Sequence, residues 1–336
     1  MKFDNIIISA LVFAAIILVH ELGHFIIAKL SGIRVEEFAI GMGPKIIGKK
    51  IGETLYSLRI IPFGGYCKLT GEDEESTDTR AFNNKPLITR MAVIFFGPLM
   101  NFLLAVLIFS LVITQTTVIN EVIENKPAHI AGIKKGDKII EINGKQVDDW
   151  ASIKKSISSN PNNPINISIQ RDDLVKKVVV TPIVENEAEG AIIGITPSLK
   201  IAGISIRDGI KTTVDVSKTM LDFLLKLFTG RASTDEVSGP VGIIVFINEA
   251  AKIGFLYVLN LTAFLSLNLG IVNLLPIPAL DGGRLMFLIL ELIRRKPIEA
   301  EKEGFINFVG FVALMILAVI IAYKDLIKFN LLNFFR

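Results

Sequence analysis

Cysteine is almost missing: Cys67 stands alone in 336 residues. A single thiol excludes an internal disulfide and any cysteine-rich metal cluster. Histidine is scarce too, at three residues, and Trp150 is the only tryptophan. A large charge of either sign is also absent. The net charge of +3 gives no case for nucleic-acid binding, and no nucleic acid is expected as a partner. Internal repeats and low-complexity tracts are not visible. What the chain has in quantity is apolar residues, 51% of the total, with a mean hydropathy of +0.55. An ordinary soluble protein is excluded, and the length allows a membrane part plus one small domain.

Four segments are expected to span a bilayer: 6–30, 91–115, one beginning near Phe255, and 305–323. The N-terminus, Met1-Lys2-Phe3-Asp4, resembles the start of a signal peptide. The apolar run behind it is longer than an h-region, contains His and Glu, and lacks a small-residue cleavage site, so a retained span is expected. The run from Phe255 to Ile293 is too long for one straight span and is broken by Pro276 and Pro278. A helix to about Ile271, an irregular stretch around Asn273–Leu280 and a shorter helix from Asp281 follow. Irregular backbone at membrane depth is tolerated where it is buried in protein or lines a wet cavity.

Lys/Arg residues concentrate in 31–90 and in Arg294, Arg295, Lys296 and Lys302. Both connections are therefore expected in the cytoplasm, with the termini and 116–254 outside. The acidic Glu72–Glu75 does not change this, because the rule counts Lys and Arg. Residues 116–198 read as a small β-rich domain. Its strand signals are Val118–Val122, Lys138–Ile142, Ile165–Gln170 and Lys177–Thr181, with a hairpin turn at Asn143-Gly144. A short helix is expected over Trp150–Ile157, after Asp148-Asp149. Residues 211–229 carry an amphipathic pattern suited to a membrane surface, and a Ser238-Gly239-Pro240 turn follows.

His20-Glu21-Leu22-Gly23-His24 lies inside the first span. Two imidazoles and a carboxylate there are costly unless paired or metal-bound. On a helix, His20 and His24 share one face and can bind one metal, and neutral imidazoles suit zinc. A catalytic zinc keeps three protein ligands and a water, and Glu21 beside the first His can accept a proton from that water. The bland reading is two histidines satisfied by helix–helix hydrogen bonds. The third ligand must come from elsewhere. His129 falls in the outward domain and reads as a surface residue. Asp281 follows the broken Pro276-Ile277-Pro278 segment, precedes Gly282-Gly283, and matches the histidines in depth toward the cytoplasmic side. A helix N-cap is its bland reading, compatible with ligation. Asn273 could donate to the oxyanion of a tetrahedral intermediate, or could simply bridge the broken helices. Gly97-Pro98-Leu99-Met100-Asn101 offers a close-approach surface that helix packing would explain.

With these residues placed, the chain resembles, over nearly its whole length, the bacterial site-2 protease family of the RseP/RasP type. HELGH at 20–24 resembles the family's zinc helix. Asn273-Leu274-Leu275-Pro276 with Leu280-Asp281-Gly282-Gly283 resembles its second signature, and Arg90 through Asn101 its second-span motif. Pro127-Ala128, Gly136-Asp137 and Ile142-Asn143-Gly144 resemble its PDZ domain, and Ser238 through Gly242 the segment after it. Met42 and Cys67 depart from that pattern by apolar swaps, and one PDZ-like domain is present where some relatives have two.

The resemblance implies a multi-span α-helical membrane protein with four transmembrane helices. It adds an inserted extracytoplasmic PDZ-like α+β domain and a membrane-associated β-hairpin region at 34–70. The expected divisions are 1–115, 116–198 (PDZ-like), 199–254 (amphipathic linker) and 255–336. It also implies Zn2+ held by His20, His24 and Asp281, Glu21 activating water, and Asn273 serving the oxyanion or positioning substrate. Its activity would be intramembrane cleavage of single-span proteins, such as anti-sigma factors or remnant signal peptides, after a site-1-type protease. The expected location is the inner or plasma membrane, with the lipid bilayer as partner and the active site toward the cytoplasm. Two other readings are a non-catalytic scaffold whose PDZ domain binds peptide tails, and a metalloprotease whose third ligand is a downstream Glu. The intact ligand set disfavours the first, and the absence of a well-placed Glu helix the second.

Overall fold

The computed structural model describes residues 3–72, 76–185, 190–231 and 237–329. Most of the acidic Glu72–Glu75 stretch, part of the 199–254 segment and the last residues of the chain lie outside them. In chain order the helices and strands are α1 (Phe3–Leu30), β1 (Val35–Ile51), β2 (Thr54–Leu69), α2 (Leu87–Phe109), β3 (Leu111–Val122), α3 (Pro127–Ile130), β4 (Lys138–Ile142), β5 (Lys145–Gln146), α4 (Trp150–Ser158), β6 (Ile165–Arg171), β7 (Leu174–Val180), β8 (Ile183–Val184), β9 (Ala191–Ile192), β10 (Ile195–Ile204), α5 (Ile206–Phe228), α6 (Pro240–Ile253), α7 (Phe255–Asn273), α8 (Asp281–Arg294) and α9 (Ala300–Lys328). Two compact units result: 1–110 with 206–336, and 111–205.

In the first unit, α1, α2, α7 and α9 are long and apolar enough to cross a membrane. Helix α2 ends at Phe109, short of the expected 115, because Ile113, Thr114, Thr116, Thr117 and Val118 are β-branched and enter strand β3. Ala105, Ile108, Ala263, Leu267 and Ile271 form a buried seam between α2 and α7. Val12 and Ile16 of α1 bury with Ile247 of α6. Helix α6 is not foreseen by the sequence, where Ser238-Gly239-Pro240 reads as a turn. Those residues instead start a helix, with Pro240 in its first turn. The buried Asp325 of α9 accepts the N–H groups of Gly239 at 2.9 Å and Gly242 at 2.8 Å, which satisfies two orphan donors at that helix start.

Helix α5 starts at Ile206, earlier than its amphipathic pattern. Gly209 lets it approach α2: a Cβ there would sit 2.2 Å from the Ser110 Oγ. Val216, Met220 and Leu224 pack on the α2–α7 seam. Ile210, Val214, Leu221, Leu225 and Phe228 stay exposed as a separate apolar stripe.

The 34–70 region is more than a simple hairpin. Strand β1 pairs with two arms of β2, since Phe38 faces both Cys67 and Tyr56, and Ala39 faces both Tyr66 and Ser57. Beyond its own bend, the far half of β1 pairs back, Lys49 with Tyr56 and Lys50 with Leu55. The result is a small folded-over sheet, with Tyr66–Leu69 along one edge. Gly41 and Gly64, at φ 86° and 106°, supply the bends. Ile46, Ile47, Ile60 and Ile61 are exposed toward its far end.

The second unit is an α+β domain. Its main sheet runs β10-β3-β4-β6-β7 with β5 on β4, and β8 pairs β9 separately. Ile119, Ile139, Ile142, Ile153, Ile165, Ile167 and Ile169 fill the core between sheet and helices. Asn143 and Gly144 both have positive φ, as a two-residue hairpin turn between β4 and β5 requires. The Asp149 carboxylate accepts the Ser152 N–H at 2.7 Å and caps α4. Asp137, 1% exposed, accepts Arg171 Nε and Nη2 at 2.7 Å each and the Lys134 N–H at 2.8 Å. Burial alone would raise its pKa, but these donors prevail and hold the carboxyl below its ordinary value.

Candidate metal centre and active site

Helix α1 carries His20 and His24 one turn apart, both buried, with rings edge-on at 4.9 Å between centroids. Helix α2 sits close behind them. A Cβ on Gly23 would lie 2.2 Å from the Phe96 carbonyl oxygen, and a Cβ on Gly97 would lie 2.2 Å from His24 Nε2. The two glycines therefore set how near the imidazoles come to α2. His24 Nδ1 lies 2.9 Å from the Val93 carbonyl oxygen, so its N–H donates there and Nε2 keeps a lone pair. His20 Nδ1 lies 3.2 Å from the Asn101 carboxamide.

Asp281 arrives from the other end of the chain. Helix α7 stops at Asn273, and α8 begins at Asp281 after Leu280 as N-cap. Asp281 is thus the first helical residue rather than the cap. Glycine is needed just after it, because a Cβ on Gly282 would lie 2.1 Å from the Leu275 carbonyl oxygen and one on Gly283 2.4 Å from that of Ile277. Helix α8 can therefore fold back onto the proline segment and turn Asp281 toward α1. Asp281 Oδ2 lies 3.1 Å from His20 Nε2 and 3.6 Å from His24 Nε2. The two Nε2 atoms are 3.2 Å apart.

That triangle tests the fit of a metal. Zinc bonds of about 2.0–2.1 Å at tetrahedral angles put neighbouring ligand atoms about 3.3 Å apart. The three separations bracket that value. Among the described residues, Asp281 Oδ2 is a buried atom that receives no hydrogen bond of acceptable geometry. A buried carboxylate oxygen left this way is destabilising unless a cation faces it. The residues present fit zinc, and two N donors with one O donor leave one tetrahedral position for water or substrate.

Glu21 lines the same 510 Å³ cavity, together with Tyr66, Cys67, Leu280 and Arg284. The backbone of Cys67, on the β2 edge, is within hydrogen-bonding reach of the Glu21 carboxylate. Asn273 ends α7 with its Nδ2 3.5 Å from His20 Nε2. His129 is exposed on α3 of the second unit. The five residues singled out by sequence, His20, Glu21, His24, Asn273 and Asp281, therefore meet in one region. Sequence reasoning left Asn101 as a packing residue. The signal available was its spacing from Gly97, one turn along a helix whose glycine must face the imidazoles. It also missed Glu72, which pairs with Arg284 beside the cavity, and Asp325.

An HExxH helix and an aspartate from a broken membrane segment, converging on one cavity, define a membrane-embedded metallopeptidase. The comparisons with known proteins agree. The model of peptidase family M50 matches residues 8–317, and the chain belongs to that family. It is a zinc metalloprotease. A Clostridium acetobutylicum protein provisionally named a zinc metalloprotease is 42% identical, over 97% of this chain and 98% of its own length. The zinc metalloprotease RasP of Geobacillus kaustophilus is 33% identical, over 98% and 99%. The regulator of sigma-W protease RasP of Bacillus subtilis is 32% identical, over 97% and 99%. Among solved structures, the PDZ domain of an SdrC-like protein from Listeria innocua is 19% identical and covers 24% of this chain, with a TM-score of 0.23.

Proposed function

We propose that the chain is an intramembrane endopeptidase that cuts the transmembrane segments of single-span proteins already trimmed on their outer side. His20, His24 and Asp281 hold the zinc. When bound, zinc supplies a Lewis acid that polarises the scissile carbonyl and acidifies water. Glu21 takes the proton of the attacking water and passes it to the leaving amine. Asn273, beside the same cavity, donates its amide N–H to the developing oxyanion. The Tyr66–Leu69 edge of β2 holds the substrate extended by main-chain hydrogen bonds, which exposes peptide bonds that a transmembrane helix would hide. The Lys/Arg bias puts the active-site end in the cytoplasm, and the 111–205 unit outside as a PDZ-like filter against bulky ectodomains. Anti-sigma factors are the favoured substrate class, supported by the B. subtilis relative's name, with remnant signal peptides a second class and a site-1-type protease acting first.

The observation that carries this reading is the unpartnered Asp281 Oδ2 facing two imidazole nitrogens within a membrane helix bundle. Glu21→Gln keeps the ligand set and removes the base. Zinc content should stay at the wild-type level, and cleavage of a tagged single-span substrate should fall about 10²–10⁴-fold. Cleavage at the wild-type rate would overturn the mechanism.

A further inference from the structure

Resting on the zinc reading above, we propose that Asn101 is a positioning residue. Its carboxamide oxygen accepts the Nδ1–H of His20 and fixes the ring tautomer that leaves Nε2 free for the metal. Asn101 is fully buried in the apolar helix α2. An amide in that position is destabilising unless its hydrogen bonds are made. Its backbone carbonyl receives the Ser266 hydroxyl at 3.1 Å, which ties this turn of α2 to α7. Among the described residues, its side chain has one close polar neighbour, His20 Nδ1 at 3.2 Å, and its Oδ1 has no partner.

The metal decides which amide atom faces the ring. The ligand triangle uses Nε2 of both histidines. A neutral imidazole that ligates through Nε2 carries its proton on Nδ1 and needs an acceptor there. His24 has one in the Val93 carbonyl. With Nδ2 facing Nδ1, Asn101 would instead donate and force the proton onto Nε2, against ligation. Half a turn about Cβ–Cγ brings Oδ1 to the ring without changing the side chain's shape. One amide atom lacks a partner in either orientation, so the turn creates no new unpaired group. Helix α2 thus orients both imidazoles, one through its backbone and one through Asn101.

The test is zinc affinity of the full chain in detergent, read by chelator competition, with melting of the metal-free protein as the folding check. Asn101→Leu keeps the volume and removes the acceptor, and should weaken zinc about 10–100-fold. Asn101→Asp keeps an acceptor but cannot donate, and should hold zinc within about threefold of wild type. Unchanged affinity in Asn101→Leu, or an equal loss in Asn101→Asp, overturns the proposal. If Asn101→Leu does not fold, Asn101→Asp decides alone: retention supports the assignment and loss overturns it. His20→Ala separates this from failure of the ligand reading. If it binds zinc like wild type, the ligand set is wrong. If it loses zinc while Asn101→Leu does not, only the role of Asn101 fails.

Discussion

Two aspartates, one buried and one half-buried with a single buried oxygen, differ sharply between the two units. Asp137, in the 111–205 unit, receives three donors from Arg171 and Lys134. Asp281, in the membrane body, faces two imidazoles and receives no hydrogen bond at Oδ2. The contrast extends beyond these residues. Among the described residues, every unpartnered buried amide or carboxylate atom belongs to the membrane body: Asn101, Asn248, Asp281 and Asp325. The other unit leaves only the hydroxyls of Thr114 and Thr196. A domain selected for stability pairs its buried charges, because an unpaired one destabilises by several kcal/mol. A site built to receive a cation keeps an acceptor open. Asp325 shows that not every orphan marks chemistry, since its other oxygen caps α6.

Gly97→Ala should have the largest effect on the membrane body and none on the other unit. A methyl group would meet His24 Nε2 and push α1 off α2. Zinc binding and cleavage should each fall by about 100-fold or more, while hydrogen-exchange protection in 111–205 stays at the wild-type level. If zinc affinity survived, the close α1–α2 approach would not be what sets the ligand geometry.

Asp137→Asn is the mirror experiment. It removes the charge paired with Arg171, which is itself partly exposed and keeps the Gly132 carbonyl, so 111–205 should lose about 2–3 kcal/mol, with zinc affinity unchanged. The pH dependence has a definite sign. The folded pKa lies below the ordinary 3.8, so the stabilisation is full above that value and fades as pH falls through the lower folded one. The protection factors of 111–205, taken as exchange rates relative to the intrinsic rate at each pH, should therefore fall down the acid range in wild type and show a flatter profile in Asp137→Asn. Equal slopes would remove Asp137 from the account.

The smallest effect belongs to Asp149→Ala. Losing the cap on α4 should destabilise the same unit by about 1 kcal/mol, visible as faster exchange at Trp150–Ile153 and nowhere in the membrane body. A change in zinc affinity would mean the units are coupled more tightly than their separate cores imply.

Much of this was legible in the sequence where the information is local. HELGH carries its own geometry, because four residues apart on a helix means one face. The prolines at 276 and 278 announce a broken segment, and Asp149 before Trp150 announces a cap. Helix α6 was not legible, because Ser238-Gly239-Pro240 looks like a turn until Asp325, more than eighty residues away, caps it. Asn101 looks like packing in an apolar helix. The double pairing of β1 was also hidden, since glycine bends rather than a hydrophobic alternation fold that sheet over.

The sequence alone determined four membrane-crossing lengths, a helix presenting two imidazoles beside a carboxylate, and a second carboxylate at matching depth. Helical period and bilayer thickness are properties of short stretches, readable from residue spacing. Only the tertiary structure decided that Asp281 lies 3.1 Å from His20, that Asn101 stands behind that ring, and that α8 folds back at Gly282-Gly283. Those facts depend on how closely backbones from distant parts of the chain pack, and no local spacing encodes that.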